Sequence, residues 1–252
     1  TAELSVGQRV VQIDVDENEI GRNHPNTLGI VGDAQLSLKE LYRALSATDE
    51  ARVNRRTELE EIKATRFGPS AHVEPQGSLT HAIRAAMPDD GIFVEDMTQI
   101  GYYSRVFYPV YAPRTYIATS YFGNLGFAYP TALGAKVAQP DRAVVAISGD
   151  GGFLFNSQEL STAIKHGINV VVIVFNDNAF GNVLRDQKNM FSGRTIGADL
   201  RNPNFVKLAE AYGVRGLRVA GAEQLESVLR ESLSIEAPTL IEVPVGEMPK
   251  PW

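Results

Sequence analysis

The hydrophobic positions of this chain fall into two kinds of run. Four short stretches are apolar almost throughout: GIFVED (91–96), AVVAIS (143–148), VVVIVF (170–175) and TLIEVPV (239–245). A strand that is apolar on both sides of its pleat must be covered on both faces, as in a parallel sheet. RTYIATS (114–120) reads as a further strand. Between these runs lie 78–87, 126–138, 156–167, 202–213 and 222–233, whose apolar residues recur at the three- and four-residue spacing of an amphipathic helix. The alternation predicts a doubly wound α/β domain, a parallel sheet with helices on both faces. In 156–167, Asn156 with Glu159 predicts an N-terminal cap, Leu160, Ala163 and Ile164 share one face, and Gly167 supplies the stop.

The first part of the chain differs. VVQIDVDENEI (10–20) predicts one strand running into an acidic turn, and LSLKELYRAL (36–45) one helix. Residues 47–77 are rich in charge and poor in large apolar side chains, which suits a solvated helix and a connecting arm. A domain boundary is expected near residue 70.

Composition narrows the function classes. With 252 residues and 44% hydrophobic content, the chain can bury about 70% of its unfolded surface. A net charge of −6 gives no broad basic footprint for nucleic acid. The absence of cysteine excludes disulfides, thiolate metal sites and cysteine nucleophiles, and fits a reducing compartment, so a cytoplasmic location is expected. No apolar run approaches the roughly 18 residues of a membrane span, and TAELSVGQRV lacks the regions of a secretory signal. No membrane partner is expected. The chain opens on Thr1, as expected of a processed or partial chain.

The candidate chemistry lies at two strand ends. After AVVAIS come Gly149, Asp150, Gly151 and Gly152; after VVVIVF come Asn176, Asp177 and Asn178. A glycine-rich turn between strand and helix offers backbone N–H groups to phosphate. A carboxylate about 4 Å from a diphosphate would cost about 4 kcal/mol at an effective dielectric of 20 unless a cation intervened. With Mg2+ between them, Asp150 becomes a ligand, because that ion shares its octahedral shell among one or two carboxylates, water and phosphate oxygens. Three other readings stand beside this one. GDG can be no more than a tight turn. A nicotinamide-nucleotide loop would need glycine where Leu154 stands. A calcium loop at DVDENEIGRNHP would close on Pro25 instead of a bidentate acid. His24, His72, His81 and His166 have no partner at metal-ligand spacing, and His81 and His166 are expected on helix surfaces.

GDGGFLFNSQELSTAIKHGINVVVIVFNDNAFG (149–181) resembles the thiamine-diphosphate motif, which runs from GDG to a paired asparagine about 30 residues on. Residues 119–151 resemble the block before that motif in acetolactate-synthase-like enzymes, and residues 10–41 resemble the end of their central domain. The resemblance covers nearly the whole chain. It implies the C-terminal part of a central domain over 1–45, a linker over 46–70, and a domain over 71–252 that binds thiamine diphosphate and Mg2+. Asp150, Asp177 and the backbone carbonyl of Ala179 are the implied metal ligands. Gly149, Gly151 and Gly152 would meet the diphosphate, with Thr98 and Gln99 beside it, and Phe180, Gly181, Asn182 and Val183 would cross the cofactor. Leu125, between Gly123 and Gly126, matches a bulky residue that bends it.

Three departures from the family stand out: Ile100 where histidine is frequent, Asp177 for the second asparagine, and Asp186 where acetohydroxyacid synthases carry tryptophan. The implied chemistry is electron-sink catalysis on a 2-oxo acid, decarboxylation followed by carboligation. No catalytic residue is assigned in this chain, because the family's activating glutamate belongs to a pyrimidine-binding domain. That domain is expected from another part of the polypeptide, another subunit or a separate chain, in a homodimer or homotetramer. The alternative is a non-catalytic nucleotide-binding or regulatory module of the same fold.

Overall fold

The structure is a computed structural model that describes residues 7–25, 27–48, 53–67 and 72–250. The chain divides into two compact units, 1–60 and 61–252. The division falls inside a helix, α2, Arg56–Phe67.

In the first unit, β1 (Val10–Asp14) pairs in parallel with β2 (Thr27–Val31), Val10 opposite Thr27. Helix α1 (Ala34–Ser46) follows, with the Asp33 carboxylate capping the Leu36 N–H at 2.9 Å. β2 was not foreseen, because Gly29 interrupts its apolar run; a Cβ at that position would meet the Ile20 side chain at 2.4 Å. No residue of β1, β2 or α1 is fully buried, and Val11, Leu28, Leu36 and Leu38 stand exposed. The acidic turn expected after β1 is present and solvent-exposed, with the Asp16 carboxylate accepting from the Asn18 N–H.

In the second unit the apolar runs form the sheet: β3 (Ile92–Glu95), β5 (Val144–Gly149), β6 (Val171–Asn176) and β8 (Thr239–Pro244) lie side by side. β4 (Tyr116–Ile117) and β7 (Arg215–Arg218) form the edges, and the order is β4-β3-β5-β6-β8-β7 with every pairing parallel. Alternate residues divide the core. Phe93, Ile147, Ile173 and Ile241 pack against α3 (Gln76–Ala86), α4 (Gln99–Phe107) and α10 (Ala222–Leu233). Val94, Ala146, Val172 and Leu240 pack against α5 (Ala128–Ala138), α7 (Glu159–His166) and α9 (Phe205–Ala211). This is the doubly wound parallel architecture that the sequence predicts.

Several elements depart from expectation. α4 was not foreseen, because Gln99 and Gly101 interrupt the apolar residues of its buried face, and β7 is a polar edge strand, RGLR. The run 114–120 contributes only two residues to the sheet. The predicted cap at Asn156 is corrected: its Nδ2 donates to the Gly126 carbonyl at 2.6 Å, so its side chain does not serve the helix. The chain instead makes the short helix α6 (Asp150–Leu154) before α7 begins. Leu160 and Ala163 are buried as expected, Ile164 lies 42% exposed at the rim, and Gly167 ends α7 with φ +60°. His81 and His166 are exposed on their helices.

Candidate functional site

The strand order reverses direction between β3 and β5, since the chain leaves β3 toward β4 on one side and returns to β5 on the other. The crevice beyond the carboxyl ends at such a point is the ligand position of open α/β sheets. A cavity of about 210 Å3 lies there. Its wall contains every site residue taken from the sequence: Thr98 and Gln99 at the start of α4, Gly123 and Leu125 before α5, and Gly149, Asp150, Gly151 and Gly152 at the end of β5. Asp177, Ala179, Phe180, Gly181, Asn182 and Val183 complete it beyond β6. Met97, Tyr102, Phe175, Val245 and Met248 also line it and were not foreseen.

Asp150 opens α6 and is 2% exposed. Its Oδ1 accepts from the Gly151 N–H at 2.9 Å and its Oδ2 from Asn202 Nδ2 at 2.5 Å. Asn202 is held by a chain of partners: Arg218 Nε donates to Glu242 Oε2 at 2.9 Å, Asn176 Nδ2 to Glu242 Oε1 at 2.8 Å, and Asn202 Nδ2 to Asn176 Oδ1 at 2.8 Å. Beyond β6, Asn178 adopts φ +58° and the Asp177 Oδ1 accepts from the Ala179 N–H at 3.1 Å. Helix α8 (Gly181–Met190) starts at once.

Two glycines are required by close approach. A Cβ on Gly151 would stand 2.4 Å from Phe180 Cε1, and one on Gly181 2.2 Å from Asp177 Oδ2. Residues 198–200 then fold back on the turn, with Phe180 N–H to the Ala198 carbonyl at 2.8 Å and Leu200 N–H to the Asn178 carbonyl at 2.7 Å, which delivers Asn202 to Asp150.

The Asp150 charge strains Asp177 electrostatically. Burial, reinforced by the Asp150 charge, pushes the Asp177 carboxyl up to about 6. Burial also raises Asp150, against the Gly151 N–H and Asn202, which hold it down. The ion pairs among the described residues, such as Arg105 with Glu95 and Lys188 with Glu247, include neither aspartate. Nor do three or more His, Cys, Asp or Glu side chains converge anywhere among the described residues. The paired carboxylates therefore offer two acidic ligands and leave further coordination to other oxygens.

Two neighbouring carboxylates at the end of β3 are built differently. Asp96 accepts from the Met97 N–H at 2.8 Å, from Ser148 Oγ at 3.0 Å and from the Ala128 N–H at 3.4 Å. Glu95 accepts from Arg105 Nε at 2.7 Å, and burial pushes it up to about 7. Asp96 and Asn156 together fix the turn carrying Leu125, which is 40% exposed. Ile100 is fully buried in the core, and Asp186 is exposed on α8.

Residues 96–243 match the family model described as "Thiamine pyrophosphate enzyme, C-terminal TPP binding domain". The chain belongs to the thiamine pyrophosphate enzyme family. It is 34% identical over 239 residues to the acetolactate synthase large subunit of Haemophilus influenzae, covering 90% of this chain and 41% of that protein. It is 33% identical over 235 residues to the acetolactate synthase isozyme 3 large subunit of Escherichia coli, covering 89% and 41%. Among solved structures, a thiamine diphosphate-dependent 4-hydroxybenzoylformate decarboxylase from Rhodococcus jostii RHA1 superposes with a TM-score of 0.73 at 29% identity, over 96% of this chain and 45% of that one. The chain thus spans about two fifths of the length of the curated relatives it matches. No helix among the described residues is long and apolar enough to cross a membrane.

Proposed function

We propose that this chain is the thiamine-diphosphate- and Mg2+-binding portion of an acetolactate-synthase-like enzyme that decarboxylates 2-oxo acids and ligates the product to an acceptor. The observation that carries the reading is the convergence of buried Asp150 and half-buried Asp177, neither of them in an ion pair among the described residues, on a cavity whose glycines admit close contact. A divalent ion would offset both the burial and the Asp150 repulsion that raise Asp177, and two carboxylates with a backbone carbonyl suit Mg2+, which keeps its remaining positions for water and phosphate oxygens. In this reading Asp150, Asp177 and the Ala179 carbonyl hold the metal. Gly151 and Gly152 line the diphosphate, with the Gly152 backbone N–H donating to its oxygens while that of Gly151 stays on Asp150 Oδ1, and Thr98 and Gln99 face them from the end of β3.

Bound there, the cofactor supplies an electron sink for cleavage of the bond between carbonyl and carboxylate carbons. The protein's part is orientation. Leu125 stands on a turn fixed from two sides and forms a rigid apolar wedge against the ligand, while Phe180 and Val183 add apolar wall. Completion of the site by a pyrimidine-binding domain, in a homodimer or homotetramer in the cytoplasm, belongs to the same proposal. The exposed Tyr121, Phe122 and Val183 agree with a covering partner.

Calorimetric titration of the 252-residue chain with thiamine diphosphate, with and without Mg2+, tests the reading. Binding that requires the metal is the expected result, with no multiple turnover of 2-oxo acids by the chain alone. Metal-independent binding of a dinucleotide instead would favour a non-catalytic module of the same fold.

A further inference from the structure

The basic side chains around the cavity are not equivalent. Arg105 pairs with Glu95 and Lys188 with Glu247, each at 2.7 Å. Arg185, on the second turn of α8, engages carboxamide oxygens instead: its Nη1 donates to Gln99 Oε1 at 2.9 Å and its Nη2 to Asn182 Oδ1. Asn182 lies three positions earlier on the same helix, and Gln99 comes from the first turn of α4. Both amides line the cavity.

A guanidinium has donors only, so the atom each amide turns toward Arg185 must be its oxygen. The two amide nitrogens, with two N–H donors each, are thereby directed away from the arginine. Among the described residues no protein oxygen accepts from Gln99 Nε2 or Asn182 Nδ2. Gln99 is only 6% exposed, so its unused donors have little access to bulk solvent outside the cavity. One arginine thus fixes two amides in the orientation that presents donors, and adds a positive charge that no carboxylate pairs with among the described residues. An acceptor-rich anion fits this arrangement. Gln99 also borders a smaller cavity with Asp177, Ala179 and Gly181, which places the donors at the metal end of the site.

We propose that Arg185 is a positioning residue for the diphosphate, acting by holding the Gln99 and Asn182 carboxamides with their N–H groups toward the phosphoryl oxygens. The inference rests on the cofactor reading given above. Lysine would keep the charge but lacks the planar fork that spans two acceptors.

The test is calorimetry on the 252-residue chain in Mg2+ with thiamine diphosphate, thiamine monophosphate and inorganic diphosphate as probes. Arg185→Met is expected to weaken both diphosphates about 10- to 100-fold, the range of one or two charge-supported hydrogen bonds, and the monophosphate less. Arg185→Lys is expected to recover part of the loss. Gln99→Met in the Arg185→Met background is expected to add less than it does alone, because both changes remove one unit. Wild-type affinity for inorganic diphosphate in Arg185→Met overturns the proposal. So does an equal loss for all three probes together with a lowered ligand-free melting temperature, which marks a merely structural arginine. Unchanged diphosphate affinity with a raised KM for the 2-oxo acid in a completed enzyme assigns Arg185 to the substrate carboxylate and also overturns it. Arg185-dependent binding of inorganic diphosphate without binding of thiamine diphosphate keeps the inference and sinks the cofactor reading; wild-type protein that binds none of the probes sinks both.

Discussion

Four carboxylates stand at neighbouring strand ends, Glu95, Asp96 and Asp150 buried and Asp177 half-buried, and they are treated in different ways. At the end of β3, Asp96 finds its partners inside the protein, two N–H groups and a hydroxyl, while Glu95 takes Arg105 on Oε1 only, its buried Oε2 has no partner among the described residues, and burial holds the carboxyl up to about 7. At the ends of β5 and β6, Asp150 and Asp177 receive neutral donors only, and the ion pairs of the described residues leave them out. Asp96 and Asp150 are equally buried, so burial alone does not mark a ligand site. Compensation does. A carboxylate whose charge is answered internally is a structural joint, and one left for an external cation is a binding group.

The comparison can be broken most sharply at Asp96. Asp96→Ala should strand the Ser148 hydroxyl and two backbone N–H groups, costing on the order of 3 kcal/mol or more in urea-induced unfolding. A loss below about 1 kcal/mol would place Asp96 in the same class as Asp150.

Asp150→Ala should do the reverse. Ligand-free stability is expected to change by less than about 1 kcal/mol, because removing one of two like charges offsets the lost hydrogen bonds, while Mg2+-dependent affinity for thiamine diphosphate falls about 100-fold or more. Asp177→Asn keeps an oxygen for the metal and should retain most of the affinity. Titrations in which it loses binding as fully as Asp150→Ala would show that the two positions do not differ in role.

A pH profile tests the other end of the contrast. Glu95 is raised to about 7 from an ordinary 4.5, so the folded protein holds a proton there that the unfolded chain releases first. Stability from this group is complete below pH 4.5 and is lost as pH rises through 7, by roughly 1–3 kcal/mol. Glu95→Gln should flatten that part of the curve; an unchanged slope between pH 5 and 7 would mean that another group titrates.

Much of this was legible because the chemistry sits where the sequence is most regular. Apolar strands ending in GDGG and NDN put Asp150 and Asp177 at adjacent strand ends, since one crossover separates them. The partners were not legible. Asn202 reaches Asp150 only because residues 198–200 fold back on the turn at 178–180, and nothing local to 202 announces that path. Asp96 reads as a strand-end acid until Ser148 and the turn before α5 are placed around it. Asn156 reads as a cap because caps and long-range amide donors use the same residue, and only the position of the Gly126 carbonyl decides between them.

The strand order also governs the order in which the domain can assemble. β8 lies between β6 and β7, with Val171 and Arg215 both opposite Thr239. During synthesis, β6 and β7 therefore leave the ribosome well before the strand that joins them. Until residues 239–244 emerge, one long edge of VVIVFN has no neighbour in its final register, and β7 has none at all. Such an edge is a template for pairing with another chain, and closure across so long a separation is slow. The nascent domain passes through an aggregation-sensitive interval that ends only with the insertion of β8, so slowing elongation between β7 and β8 prolongs the exposure of that edge.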